Sequence, residues 1–149
     1  MSDLRSASSA GPRSAAKPAC TGYRAQRLHG VRIDPRGLLH EVAGAERLLA
    51  WDDVWFAVAA ELGEPEGVRA IVFDLVVGRD GSGWQVLRLD AEPGPLAQEI
   101  ARALQTGLPR DRRGPSIKSL ASDGVPSQWF ADVESFEEAV AASVARSGS

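Results

Sequence analysis

From Arg27 onward the chain alternates apolar and polar positions, the two-residue period of strands. Arg27 to Ile33 reads as a first strand, with Leu28 on one face, Val31 and Ile33 on the other, and a bulge expected at Gly30. Asp34-Pro35-Arg36-Gly37 is turn chemistry, because Pro presets φ and Gly accepts a positive one. Leu38 to Val42 and Glu46 to Trp51 follow as two more strands of a meander. Residues 51–62 carry two patterns at once. Trp51, Val54, Trp55, Val58 and Leu62 make a helical stripe that Gly63 would end, yet 54–58 is also a run of bulky β formers. After a turn at 64–67, Val68 to Gly78 is the clearest strand. Ile71, Phe73, Leu75 and Val77 line one face and Ala70, Val72 and Val76 the other, so the strand is expected to be central or covered on both sides. Only Asp74 breaks its apolar character. A hairpin of the Asp-Gly type at Arg79 to Gly83 leads into a last strand, Trp84 to Ala91.

Two helices are predicted beyond the strands. Gly94-Pro95 opens the first, with Leu96, Ile100, Ala103 and Leu104 as its buried stripe and Gly107 as its stop. The second opens at Asp132 or Ser135, where Ser135 and Glu138 have capping-box spacing, and buries Val133, Phe136, Val140 and Val144. Three segments result: a disordered Ser/Ala/Pro/Arg-rich tail (1–22), a sheet domain with its closing helix (23–107), and a basic loop with a helical arm (108–149). The tail lacks the continuous apolar run of a secretory signal; its Arg- and Ser-rich, acid-poor composition leaves a transit peptide as the alternative to a flexible tail.

The runs Gly37-Leu38-Leu39, Leu48 to Val54 (Leu-Leu-Ala-Trp-Asp-Asp-Val) and Ile71 to Leu75 resemble bacterial pleckstrin-homology-like domains, over residues 27–107. In that family a strand ending in a Trp-x-x-aliphatic step leads into another strand, and a final helix plugs the barrel. The resemblance implies a strand for residues 54–61. It also implies an α+β fold: an antiparallel meander forming a bent sheet or partly open barrel, closed by an amphipathic helix, with an extra C-terminal helix. Phosphoinositide binders of the family carry several bases in the first strand-to-strand loop. Here that loop offers one, Arg36, beside Asp34, and the closing helix lacks the Trp of the eukaryotic members, so the ligand is left open.

Composition narrows the chemistry. With 149 residues, 44% apolar and 25% charged, the chain holds one domain with a modest core. A net charge of -3 argues against nucleic acid as partner, and no apolar stretch is long enough to span a membrane. The bases are fifteen Arg against two Lys, which reads as the mark of a GC-rich genome. Cys20 stands alone, and His29 and His40 have no third ligand, so neither a disulfide framework nor a metal site is expected. Gly78 to Gly83 suggests a phosphate loop only superficially, because a strand pattern follows it and not a helix. Arg110, Arg112, Arg113 and Lys118 are the one basic cluster outside the tail; Asp111 interrupts it, which favours a solvated linker.

Four residues stand out as candidate binding positions. Asp74 requires a partner such as Arg69 or Arg88 if buried. Trp84 and Trp129 are the tryptophans harder to bury, whereas Trp51 and Trp55 are assigned to the core. The expected function is a non-catalytic interaction module of the cytoplasm, without a cofactor. It would bind a protein or peptide through a sheet edge or the groove beside the closing helix. A small apolar ligand or headgroup anchored by Asp74 or Arg88 is the alternative, and a cryptic enzyme the weakest one.

Overall fold

The computed structural model describes residues 22–63, 69–81 and 83–147. Cys20, almost all of the expected tail and the expected turn at 64–67 lie outside them. The chain is α+β, with eight strands in two sheets and three α-helices among the described residues. The strands are β1 (Arg24–Arg27), β2 (Arg32–Asp34), β3 (Gly37–Val42), β4 (Ala45–Ala50), β5 (Phe56–Gly63), β6 (Arg69–Asp80), β7 (Gly83–Ala91) and β8 (Trp129–Phe130). The helices are α1 (Pro95–Gly107), α2 (Pro115–Asp123) and α3 (Val133–Ser147). Single 3-10 turns cover Trp51–Asp53 and Arg110–Arg112.

The expected single meander divides. β2, β3 and β4 form an antiparallel sheet of their own. The larger sheet has the order β1-β7-β6-β5-β8; its β5-β6-β7 centre is antiparallel, and β1 and β8 are added parallel at its edges. It is an open mixed sheet, and no closed barrel is formed. The division begins at Gly30. It is not a bulge inside one strand: with φ +59 it breaks the Arg27-to-Ile33 run, sending β1 to one sheet and β2 to the other.

Residues 54–61 are extended, as the resemblance implies. Val54 and Phe56 are buried, while Trp55 between them is 47% exposed and is not the core residue it was assigned to be. β6 lies at the centre of the sheet and is covered on both faces. Ile71, Phe73 and Leu75 face a core shared with Leu38, Leu49, α1 and α2. Val72 and Val76 face a second core closed by Phe136, Val140 and Val144 of α3.

A nine-residue helix absent from the sequence expectations, α2, has its signals in plain view: Gly114 before it, Pro115 in its first turn, and Gly124 in the left-handed conformation at its end. Its job is local. β8 pairs β5 only at Glu61 and Leu62, so the rest of that edge needs cover. The Gly114 amide donates to the Ala57 carbonyl (2.8 Å), and the Ala59 amide donates to the Ser116 hydroxyl (3.2 Å). The Glu61 amide donates to the Gln128 carbonyl at 3.0 Å. α3 is capped by Asp132, whose carboxylate accepts the Ser135 amide at 2.8 Å.

Candidate functional site

The four positions singled out from sequence come to three places. Asp74 and Arg88 are opposite each other on β6 and β7, on the face beneath α3. The Asp74 side chain is wholly buried, and the Arg88 guanidinium grips it with two hydrogen bonds, Nε to Oδ1 at 2.7 Å and Nη2 to Oδ2 at 2.8 Å. The Tyr23 hydroxyl donates to Asp74, and Arg88 Nη2 also donates to Glu137 Oε2 of α3 at 2.9 Å. The guanidinium carbon stands 5.8 Å from the Phe136 ring centroid. Each of these four side chains is therefore met by another of the group.

Its electrostatics follow from burial. Burial, with Asp74 beside it, holds the Tyr23 phenol far above its ordinary range, so it remains a donor. Burial also pushes the Glu137 carboxyl up, more than the Arg88 bond draws it down. For Arg88 burial works against the charge, but the Asp74 and Glu137 carboxylates more than reverse it and leave the group firmly cationic. The arrangement ties α3 to the sheet. Arg88 as a partner for Asp74 was legible from sequence; Tyr23 and Glu137, fifty-one and sixty-three positions from Asp74, had no signal there.

Trp84 belongs to a second place. It is half-buried, with the Arg79 guanidinium 4.6 Å above its ring, and lines a groove of about 610 Å³ with Trp55, Phe56 and Val144. Trp129 is 59% exposed on the edge strand β8, where its indole lies over Gly63; a Cβ there would come within 2.9 Å of the ring.

A further place was expected by position and not by residue: the groove beside the helix that follows the strands. It measures about 590 Å³ and runs between the β2–β3 turn and α1, lined by Ile33, Pro35, Trp51, Arg102, Ala103 and Thr106. The Trp51 indole donates to the Pro35 carbonyl at 2.9 Å and packs against the end of α1, where a Cβ on Gly107 would meet its ring at 2.4 Å. Arg36, the one base of the β2–β3 loop, is bound to Asp34 through both its amide (2.8 Å) and its Nε (2.9 Å). Those side-chain and amide bonds from Arg36 hold the Asp34 carboxyl below its usual range. Ile33, by contrast, is 43% exposed at the groove's lip.

Among the described residues no helix is long and apolar enough to cross a membrane, and no three His, Cys, Asp or Glu side chains are placed to hold a metal ion. Comparison with protein-family models, curated proteins and solved structures finds no match to this chain.

Proposed function

We propose that the protein is a non-catalytic module that binds an extended peptide segment of a partner protein along β2, with an apolar side chain of that segment seated in the groove beside α1. One observation carries the reading. The apolar groove and an edge strand adjoin and share Ile33 and Asp34. Addition of a strand supplies main-chain hydrogen bonds, and a neighbouring pocket supplies side-chain choice. The volume suits one or two large side chains. Arg102, without a carboxylate partner among the described residues, would receive an acidic residue of the peptide.

The pleckstrin-homology-like reading is compatible with this use. A three-stranded sheet (β2–β4), a three-stranded meander (β5–β7) and then a helix support it, whereas the parallel edge strands, α2 and α3 lie outside that pattern. The cytoplasm is the proposed setting. Trp84 and Trp129 stay secondary contact candidates, since neither lines the groove.

The test is selection of peptides from a displayed random library on the intact protein, followed by affinity measurement on variants. Ile33→Asp and Ala103→Glu are each expected to weaken selected peptides at least about tenfold, the order of one lost apolar anchor. Trp129→Ala is expected to leave them unchanged. Peptides that bind both groove variants as tightly as the wild type would overturn the proposal.

A further inference from the structure

The basic cluster read from sequence as a linker interrupted by Asp111 has a different form in three dimensions. Arg110–Arg112 is one turn of 3-10 helix, in which positions three apart share a side. Arg110 and Arg113 therefore line one cavity, while Asp111 and Arg112 line the separate groove that holds Trp84. The acid that dilutes the cluster in the sequence is turned away from it. The cavity, about 460 Å³, is completed by Gln105 of α1, by Gly114 and Pro115 at the start of α2, and by Lys118 one turn into that helix. Among the described residues no acidic side chain lines it.

Three cations thus converge on one concavity. Among the described residues Arg110, Arg113 and Lys118 have no carboxylate partner; Arg113 Nε makes only a long contact to the Pro109 carbonyl, at 3.4 Å. The start of α2 adds to the same field. Gly114 and Pro115, at the positive end of the α2 dipole, line the same cavity.

We infer that this cavity is a binding site for a phosphate group, carried by a small phosphorylated molecule or a lipid headgroup. Two arginine forks suit the tetrahedral oxygens of a phosphate, and the lysine supplies a third charge against a dianion. A nucleic-acid strand is disfavoured, because the described lining holds no aromatic ring for a base to stack on. The site is separate from the peptide groove and does not depend on it.

Pyrophosphate is the probe for the first experiment, titrated into the intact protein while the amide resonances of Gly114, Ser116 and Ile117 are followed by NMR. Saturable shifts confined to this region are expected, with affinity that falls as salt rises and as pH drops below about 6. Arg110→Gln, Arg113→Gln and Lys118→Gln are each expected to weaken binding about tenfold, the worth of one charge-assisted hydrogen bond. Far-UV spectra check that the variants remain folded. Vesicles containing phosphatidate then separate the sources: co-sedimentation abolished in the triple variant assigns the phosphate to a headgroup, and pyrophosphate binding without co-sedimentation assigns it to a soluble molecule. Shifts that fail to saturate below about 10 mM pyrophosphate, or equal affinity in the triple variant, would overturn the inference.

Discussion

Replacing Arg88 by Met tests the reading of the buried group most directly. The substitution keeps much of the side-chain stem against Phe136 and removes the charge. It leaves the Asp74 carboxylate, 0% exposed, with the Tyr23 hydroxyl as its remaining hydrogen-bond donor among the described residues. Breaking a buried pair from one side costs about 3–5 kcal/mol, because the surviving charge has neither water nor countercharge. Exposure of the Arg88 side chain is only 11%, so solvent screening trims that figure little. The measurement is urea unfolding at neutral pH, with the m-value showing that the same two states are compared. Asp74→Leu joined to Arg88→Met removes both charges together. That double variant is expected to be more stable than the sum of the two single losses by about 1–3 kcal/mol. A single-variant loss under about 1 kcal/mol, or strict additivity of the pair, would refute the account.

Three further predictions follow from other contacts. Glu137 sits above its ordinary range because burial outweighs the Arg88 bond, so the folded state takes up its proton before the unfolded chain does. The stability it contributes is fully present below the ordinary carboxylate pKa and is lost as pH rises through the raised value. Glu137→Gln should therefore be at least as stable as wild type near neutrality, with the two urea midpoints converging toward about pH 4; a variant weaker at neutral pH contradicts this. Ser116→Ala strips the acceptor from the Ala59 amide and should cost about 1–3 kcal/mol, with faster hydrogen exchange at Ala59 as the local sign. Gly107→Ala would ordinarily gain up to about 1 kcal/mol in a helix, but its Cβ would lie 2.4 Å from the Trp51 ring. Crowding of about 1–3 kcal/mol wins, and thermal unfolding with altered Trp fluorescence should report it.

What could be read from sequence was local or strongly periodic. β6 and β7, the hairpin between them, α1 and α3 all follow from runs whose period and end residues agree. The Asp74–Arg88 pair was within reach because a lone acid in an apolar strand demands a base, and a hairpin brings few bases opposite it. The division into two sheets was not within reach. It depends on β1 pairing parallel with β7, some sixty residues away, and Gly30 fits a bulge or a break equally well. Trp55 was misplaced because its spacing fits a helical stripe. It lies just ahead of β5 and is exposed, lining the groove that holds Trp84. α2 was overlooked because its charged approach, Arg110 to Arg113, looked like a linker, although Gly114-Pro115 and Gly124 mark both its ends.

The treatment of strand edges explains why the peptide groove is where it is. An edge strand exposes main-chain donors and acceptors to any passing chain, and proteins guard such edges with charge, brevity or cover. β1 is guarded by charge: Arg24 and Arg27 are exposed and pair with Asp80 and Asp90. β8 is two residues long, and the 113–128 segment covers the rest of the β5 edge. β4 carries the adjacent charges Glu46 and Arg47. β2 is the exception. Its Arg32 and Asp34 are ion-paired too, with Glu46 and Arg36, but between them stands an apolar side chain, Ile33, exposed over an apolar groove. A lysine at position 33 would restore the guard. Ile33→Lys should abolish peptide binding and, at an exposed position, change the urea midpoint by no more than about 0.5 kcal/mol equivalent. A large stability loss would instead mark Ile33 as a core residue of the β2–β4 sheet, and the edge would lose its claim to be a binding surface.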